Sequence, residues 1–91
     1  MYNPEEQVWE ESAMYRIHFA SQSGNGRWYC KLVTMQYLGS NRDGSLGFSL
    51  RPIAGTQSLD PKFILKVEKM RKGTDPRTPH SIGEIRKPRW A

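Results

Sequence analysis

The chain has few of the residues from which disulfides, metal centres and membrane spans are built. It holds one cysteine, Cys30, and two histidines, His18 and His80. A single cysteine cannot form an internal disulfide, and metal sites need clustered Cys, His, Asp or Glu ligands. No apolar run approaches the roughly 20 residues that a membrane helix requires. We therefore expect no metal, no cofactor and no contact with a membrane.

The first residues also lack the pattern of a secretion signal. Residues 3–6, Asn-Pro-Glu-Glu, are acidic and polar, whereas a signal peptide combines cations with an apolar segment. Small secreted domains are usually stabilised by several disulfides. The sequence thus predicts a cytoplasmic protein. Its 91 residues suit a single domain with an acidic segment at 1–12, a β core at 13–85 and a basic tail at 86–91.

Side chains suited to catalysis are sparse. Cys30 and His18 could meet across a hairpin, but Cys30 lies among apolar residues, where a thiol is usually an inert small hydrophobe. Most glutamates are clustered near the amino terminus, and nothing marks Glu68 and Glu84 as an acid–base pair. We therefore expect a binding protein without a small-molecule substrate, and not an enzyme.

Residues 27–38 are rich in aromatic and β-branched side chains, which favour strands. Both alternating sets along this run are largely apolar. One set contains Trp28, Cys30, Leu32 and Thr34, and the other contains Tyr29, Lys31, Val33, Met35 and Tyr37. A run that is apolar on both sides predicts a central strand covered on both faces.

Further strands are predicted on either side of this run. Residues 14–20 alternate, with Tyr15, Ile17 and Phe19 facing inward, and Asn25-Gly26 predicts the hairpin turn that follows. Asp43-Gly44 predicts a second turn, before a strand at 46–51 that buries Leu46, Phe48 and Leu50. Residues 53–61 are expected to form an exposed loop, and residues 81–85 a short closing strand.

Two segments leave alternatives open. Residues 62–70 have helix-capping signals in Asp60-Pro61 and Gly73, yet Phe63, Leu65 and Val67 alternate as in a strand. We favour a strand whose outer face holds Ile64 with Lys62, Lys66 and Glu68, because a small sheet needs neighbours. Residues 4–12 predict a short helix, capped by Asn3 and docked through Val8 and Trp9, with a disordered acidic tail as the alternative.

These elements predict a mainly β fold, α+β only through the short amino-terminal helix. The expected sheet has 4–5 antiparallel strands curled into an SH3-like or open barrel. Gly-Arg-Trp-Tyr at residues 26–29, followed by Gly-Phe-Ser-Leu-Arg-Pro-Ile at residues 47–53, resembles small SH3-like or Sm-like barrels. This resemblance identifies no family and assigns no functional residue.

Charge gives the one hint of function. The net charge is +5, but residues 1–12 carry four glutamates and no cation, and residues 62–91 carry nine cations against three carboxylates. A basic surface beside aromatic side chains is typical of nucleic-acid binding. The predicted DNA- or RNA-binding residues are Lys66, Lys69, Arg71, Lys72, Arg77, Arg86, Lys87, Arg89 and Trp90. Trp90 would stack on bases or dock the tail, and Tyr29 and Tyr37 would stack or pack in the core.

Two other interpretations of the same features remain open. The opposite charges of the two ends and a free sheet edge suit a protein-interaction module, such as an inhibitor or adaptor of a larger protein, or a homodimer. A basic isoelectric point can also serve solubility alone.

Overall fold

The computed structural model describes Asn3 and residues 5–90. They form one antiparallel sheet of six strands: β1 Met14–Gln22, β2 Trp28–Ser40, β3 Leu46–Ser49, β4 Thr56–Leu59, β5 Ile64–Lys69 and β6 Arg77–Ile85. The helical content of this part of the chain is one 3₁₀ turn, Pro61–Phe63. The prediction of a mainly β fold is confirmed, with six strands in place of the expected four or five.

The central strand of the sheet is β2. One of its sides pairs with β1, from Trp28 to Gln36. Its other side pairs with β6 along the first half and with β3 along the second half. The predicted central position is therefore confirmed. The predicted cover on both faces is wrong, because Cys30 and Leu32, on the side opposite to Val33, are only half-buried. The strand continues past its predicted end to Ser40, with a register shift against β3 between Tyr37 and Gly39.

The two predicted hairpin turns are confirmed. Between β1 and β2, Gly26 adopts a φ of +84°, which costs a glycine little, and Arg27 N donates to Asn25 Oδ1 at 3.0 Å. Between β2 and β3, Gly44 has a φ of +88°, and Ser45 N donates to Asp43 Oδ1 at 3.0 Å. The Ser45 hydroxyl also donates to Asp43 Oδ1, at 2.6 Å, and this hydrogen bond, followed by the one from Ser45 N, holds the pKa of Asp43 below its ordinary value.

The predicted exposed loop at residues 53–61 is wrong in its second half. Residues 56–59 form β4, which pairs with β3 after a turn closed by Leu50 N donating to Gly55 O at 3.0 Å. The strand was missed because its first three residues, Thr-Gln-Ser, are polar and exposed, so no apolar alternation marks them. β3 itself ends at Ser49, before the predicted end at 51.

Residues 62–70 contain both of the structures that their sequence favoured. Asp60 caps the 3₁₀ turn by accepting a hydrogen bond from Lys62 N at 3.0 Å, and β5 follows as predicted. The predicted outer position of Ile64 is wrong, because β5 bulges against β1. Phe19 pairs with Ile64 while His18 pairs with Lys66, so Ile64 is buried and Leu65 is exposed.

The predicted amino-terminal helix is also wrong, as far as the structure describes it. Pro4 lies outside the described residues, and residues 5–12 contain turns and no α-helix. The segment docks through Trp9, whose ring lies 4.8 Å from that of Tyr15 and 5.4 Å from that of Tyr37. Val8, the other expected contact, is 81% exposed. The segment, too short to be a stable helix alone, is held by the Trp9 ring and by hydrogen bonds such as Glu10 N donating to Tyr15 Oη at 2.8 Å.

The main hydrophobic core lies on one face of the sheet. Its buried members are Tyr15, Ile17, Val33, Met35, Tyr37, Leu46, Phe48, Leu50 and Ile64. Tyr37 is thus a core residue, as one of its two interpretations held. The predicted barrel is wrong because the sheet does not close: within residues 5–90, β5 pairs with β1 alone and β4 with β3 alone. The predicted closing strand at 81–85 is part of the longer β6, which pairs with β2.

Candidate nucleic-acid interface

The face of the sheet opposite the core is polar and cationic where β5, β1, β2 and β6 lie side by side. Directly paired residues of antiparallel strands project to the same side. The register produces two rows across this face. One row is Lys66, His18, Leu32 and His80, and the next is Glu68, Arg16, Thr34 and Arg77. We call Arg16, His18, Lys66, Arg77 and His80 the basic face.

A groove of about 280 Å³ runs over part of the basic face. Leu32 and Thr34 of β2 line it between the side chains of Arg16 on one strand and Arg77 and His80 on another. The chain that connects β5 to β6 supplies the remaining lining, from Met70, Thr74 and Asp75. The groove therefore has a floor of Leu32 and Thr34, more basic than acidic side chains around it, and one carboxylate, that of Asp75.

Few carboxylates neutralise the basic face. Glu68 accepts a hydrogen bond from Arg16 Nε at 3.0 Å, and this hydrogen bond and the charge of Arg16 hold the pKa of Glu68 below its ordinary value. Lys66 and Arg77 form no ion pair with any carboxylate in the described part of the chain. Two cations of this face thus remain free to meet an anionic ligand.

His18 lies on the basic face with a lowered pKa and a buried ring nitrogen. Burial, followed by the nearby charges of Lys66 and Arg16, holds its pKa below the ordinary 6.5, against an opposite effect of Glu68. Its Nδ1 atom is buried and has no hydrogen-bond partner among the described residues. Its surroundings therefore favour the neutral imidazole over the charged one.

The predicted binding residues do not gather in one cluster. Lys66 and Arg77 lie on the basic face. Arg71 and Lys72 follow the carboxyl end of β5, where Lys72 lines a different pocket together with Glu10 and Glu11. Lys69 is engaged elsewhere: it forms an ion pair with Glu10, which raises the pKa of Lys69. The tail residues Arg86, Lys87 and Arg89 follow the far end of β6, a strand of nine residues that spans about 27 Å.

A second concave feature, which we call the aromatic cleft, lies at the tail end of the sheet. Its volume is about 730 Å³, and Phe19, Trp28, Phe63, Trp90, Lys62 and Lys87 are among the residues that line it. The ring of Trp90 meets Trp28 at 5.6 Å and Phe63 at 4.9 Å, both nearly perpendicular. The tail therefore docks through Trp90, as one of its two interpretations held, yet Trp90 stays 46% exposed.

Sequence reasoning missed part of both features. Arg16 and His18 were not chosen as binding residues, since their proximity to Lys66 depends on a pairing between strands far apart in sequence. Lys62, Trp28 and Phe63 were not chosen as binding residues, because only the return of the tail brings Trp90 onto them. The capping signal Asp-Pro-Lys-Phe at residues 60–63 was the one local indication in the sequence of a turn at Lys62 and Phe63.

The remaining candidate chemistry receives no geometric support in the described residues. Leu32, and not Cys30, lies opposite His18, and burial raises the pKa of the Cys30 thiol. Within Asn3 and residues 5–90, no group of three or more His, Cys, Asp or Glu side chains could hold a metal ion. That part of the chain also has no helix of the length and apolar character needed to cross a bilayer.

Comparison with known proteins leaves the fold and these two features as the guides to function. No protein-family model, no curated protein and no solved structure matches the chain.

Proposed function

We propose that this protein is a non-catalytic binding protein for single-stranded DNA or RNA, which lies across the basic face. One observation carries the proposal. Of the nine cations in residues 62–90, eight form no ion pair with a carboxylate in the described residues, Lys69 being the exception. Unpaired cations on a fixed scaffold attract phosphates and release the counterions condensed around them, which is the main source of sequence-independent affinity.

A single strand fits the basic face better than a duplex does. The major groove of B-DNA is about 12 Å wide and admits a helix or a two-stranded ribbon. The basic face spans four strands spaced about 4.8 Å apart, which is wider than that groove once side chains are added. The described residues contain no α-helix to enter the groove instead. Open sheet faces suit flexible strands, whose backbone can follow the cations.

The experiment is a salt titration of binding to a fluorescently labelled oligonucleotide. The logarithm of the affinity should fall linearly with the logarithm of the salt concentration, with a slope of about −0.7 for each phosphate neutralised. The double variant Lys66→Gln/Arg77→Gln should reduce that slope by about 1.4. The control Arg27→Gln/Arg42→Gln removes the same charge from two hairpin turns and should retain the slope. Absence of binding at low salt, or an equal loss in the control, would remove the proposal.

The free sheet edges give less support to the protein-binding alternative. Eight of the nine residues of β6 are exposed, and β2 is its one paired neighbour, so strand addition there is geometrically open. However, Pro79 offers no backbone donor within β6, and β5 is a bulged edge that carries Lys66 and Lys69. Prolines, bulges and lysines are devices that discourage edge pairing. A dimer in light scattering at low salt would favour the alternative.

A further inference from the structure

We propose that the aromatic cleft receives one unstacked base of the strand bound on the basic face. This inference rests on the proposed function and adds the part of the ligand that the cleft recognises. Lys62 at the cleft and Lys66 on the basic face are four residues apart, so their Cα atoms lie at most about 14 Å apart. One short strand can therefore contact both features.

The walls of the cleft are suited to a flat aromatic ligand. Trp90 is 46% exposed, although its edge-on contacts with Trp28 and Phe63 fix its position. A planar base can stack on such a ring, and base–aromatic stacking tolerates any base because each has a π face. Gln22, Ser58 and Asp60 line the same cleft and supply donors and acceptors for the edge of the base.

The charges at the cleft favour an anion over a cation. Perpendicular aromatic rings also form the cages that bind quaternary ammonium groups. In this cleft the ammonium group of Lys62 already occupies such a position, 5.2 Å from the ring centre of Phe63 and 5.7 Å from that of Trp90. Lys87 adds a second positive charge to the lining, against the single carboxylate of Asp60, so the lining is net positive. A cationic ligand would be repelled, whereas the phosphate beside a base would be attracted.

An independent observation at Trp28 also indicates a ligand. Trp28 is 7% exposed and lines the cleft, and its indole Nε1 is buried without an acceptor among the described residues. Buried indole N–H groups normally have a hydrogen-bond partner. A base or phosphate oxygen bound against Trp28 in the cleft would supply one.

The test compares two labelled oligonucleotides of equal length, one of thymidines and one of abasic sites, on the full chain. Trp90→Ala should weaken binding of the thymidine strand by about 5- to 150-fold and leave the abasic strand unchanged. Trp90→Phe should restore most of the affinity and Trp90→Leu should not, because only the former keeps an aromatic face. Binding of the thymidine strand, but not of the abasic one, should also quench tryptophan fluorescence.

Other results would overturn the inference. Equal losses on both strands, or no loss with Trp90→Ala while Lys66→Gln/Arg77→Gln still weakens binding, would leave the proposed function standing and remove the base site. Binding of choline to the cleft with no binding of the thymidine strand would assign it to a cation instead. Failure of the unmodified chain to bind either strand would remove the proposed function and the base site together. Thermal melts check that each variant folds. Lys62→Gln tests a second, exposed position at the cleft and should also weaken binding of the thymidine strand.

Discussion

Arg16 and Glu68 form an ion pair across β1 and β5, with Arg16 Nε donating to Glu68 Oε2 at 3.0 Å beside His18. Both side chains are substantially exposed, at 40% and 47%. Exposed ion pairs contribute little to stability. Under the proposed function the pair matters more for binding, because Glu68 neutralises one cation of the basic face.

We expect Glu68→Gln to tighten binding of a single strand. The substitution removes a carboxylate from the basic face and frees Arg16, so the salt slope should steepen by about 0.7. The matched control is Glu84→Gln, since Glu84 is exposed on β6 opposite Tyr29, in a row outside the basic face. Fluorescence anisotropy at several salt concentrations measures both. Identical behaviour of the two variants would show that Glu68 acts only through net charge.

The stability of the fold should fall as the pH drops through the range where His18 titrates. Folding lowers the pKa of His18, so the unfolded chain binds the proton more readily. The stability that His18 contributes in its neutral form is therefore fully present above pH 6.5, its ordinary pKa. It is lost as the pH falls towards the pKa of His18 in the folded protein. Urea unfolding between about pH 7.5 and pH 5.5 measures this loss.

Two histidine variants identify the source of that loss. His18→Gln should flatten the pH dependence of the unfolding free energy in this range. His80→Gln, which removes the other imidazole of the basic face, should retain it because His18 is still present. An unchanged slope in His18→Gln would assign the pH dependence to another group.

Trp28 should be a major contributor to stability at the tail end of the sheet. It is 7% exposed and packs against Trp90. Trp28→Ala should lower the free energy of unfolding by about 3–5 kcal/mol, towards the lower end because the substitution also removes an unpaired N–H. Val8→Ala, at a position that is 81% exposed, should change it little. Denaturant unfolding of both variants checks the difference, and equal values would show that Trp28 is not a core residue.

The first hairpin turn offers a matched pair of glycines. Gly26 has a φ of +84°, where a side chain is strained, while Gly24 has ordinary backbone and open space around it. Gly26→Ala should therefore cost about 1–2 kcal/mol of stability, and Gly24→Ala should be neutral or slightly stabilising. Chemical unfolding distinguishes them. A similar cost at both positions would mean that the turn differs from the one described.

The parts of the fold that depend only on residues adjacent in sequence could be predicted from the sequence. Asn25-Gly26 and Asp43-Gly44 need only their own backbone, so both turns could be located from sequence. Leu65 shows the limit: strand alternation placed it inside, but a bulge against β1 exposes it and buries Ile64. Such a bulge results from pairing between distant segments, which periodicity does not record.

The candidate site also combines residues that could be predicted from the sequence with contacts that could not. Lys66 and Arg77 could be named from charge alone. Their grouping with Arg16 and His18 required β5 to pair with β1, and β6 with β2. The cleft required the tail to fold back so that Trp90 contacts Phe63 and Trp28. These contacts join residues far apart in sequence, and no short motif encodes them.

The most direct measurement of where a single strand binds is an amide-shift titration of the isotopically labelled protein with a short oligonucleotide at low salt. We expect the largest shifts at His18, Leu32 and Lys66, in the residues of β6 near His80, and around Trp90. Shifts confined to the β2–β3 turn and β4, or no shifts when the oligonucleotide is in excess, would contradict the assignment of the basic face as the binding surface.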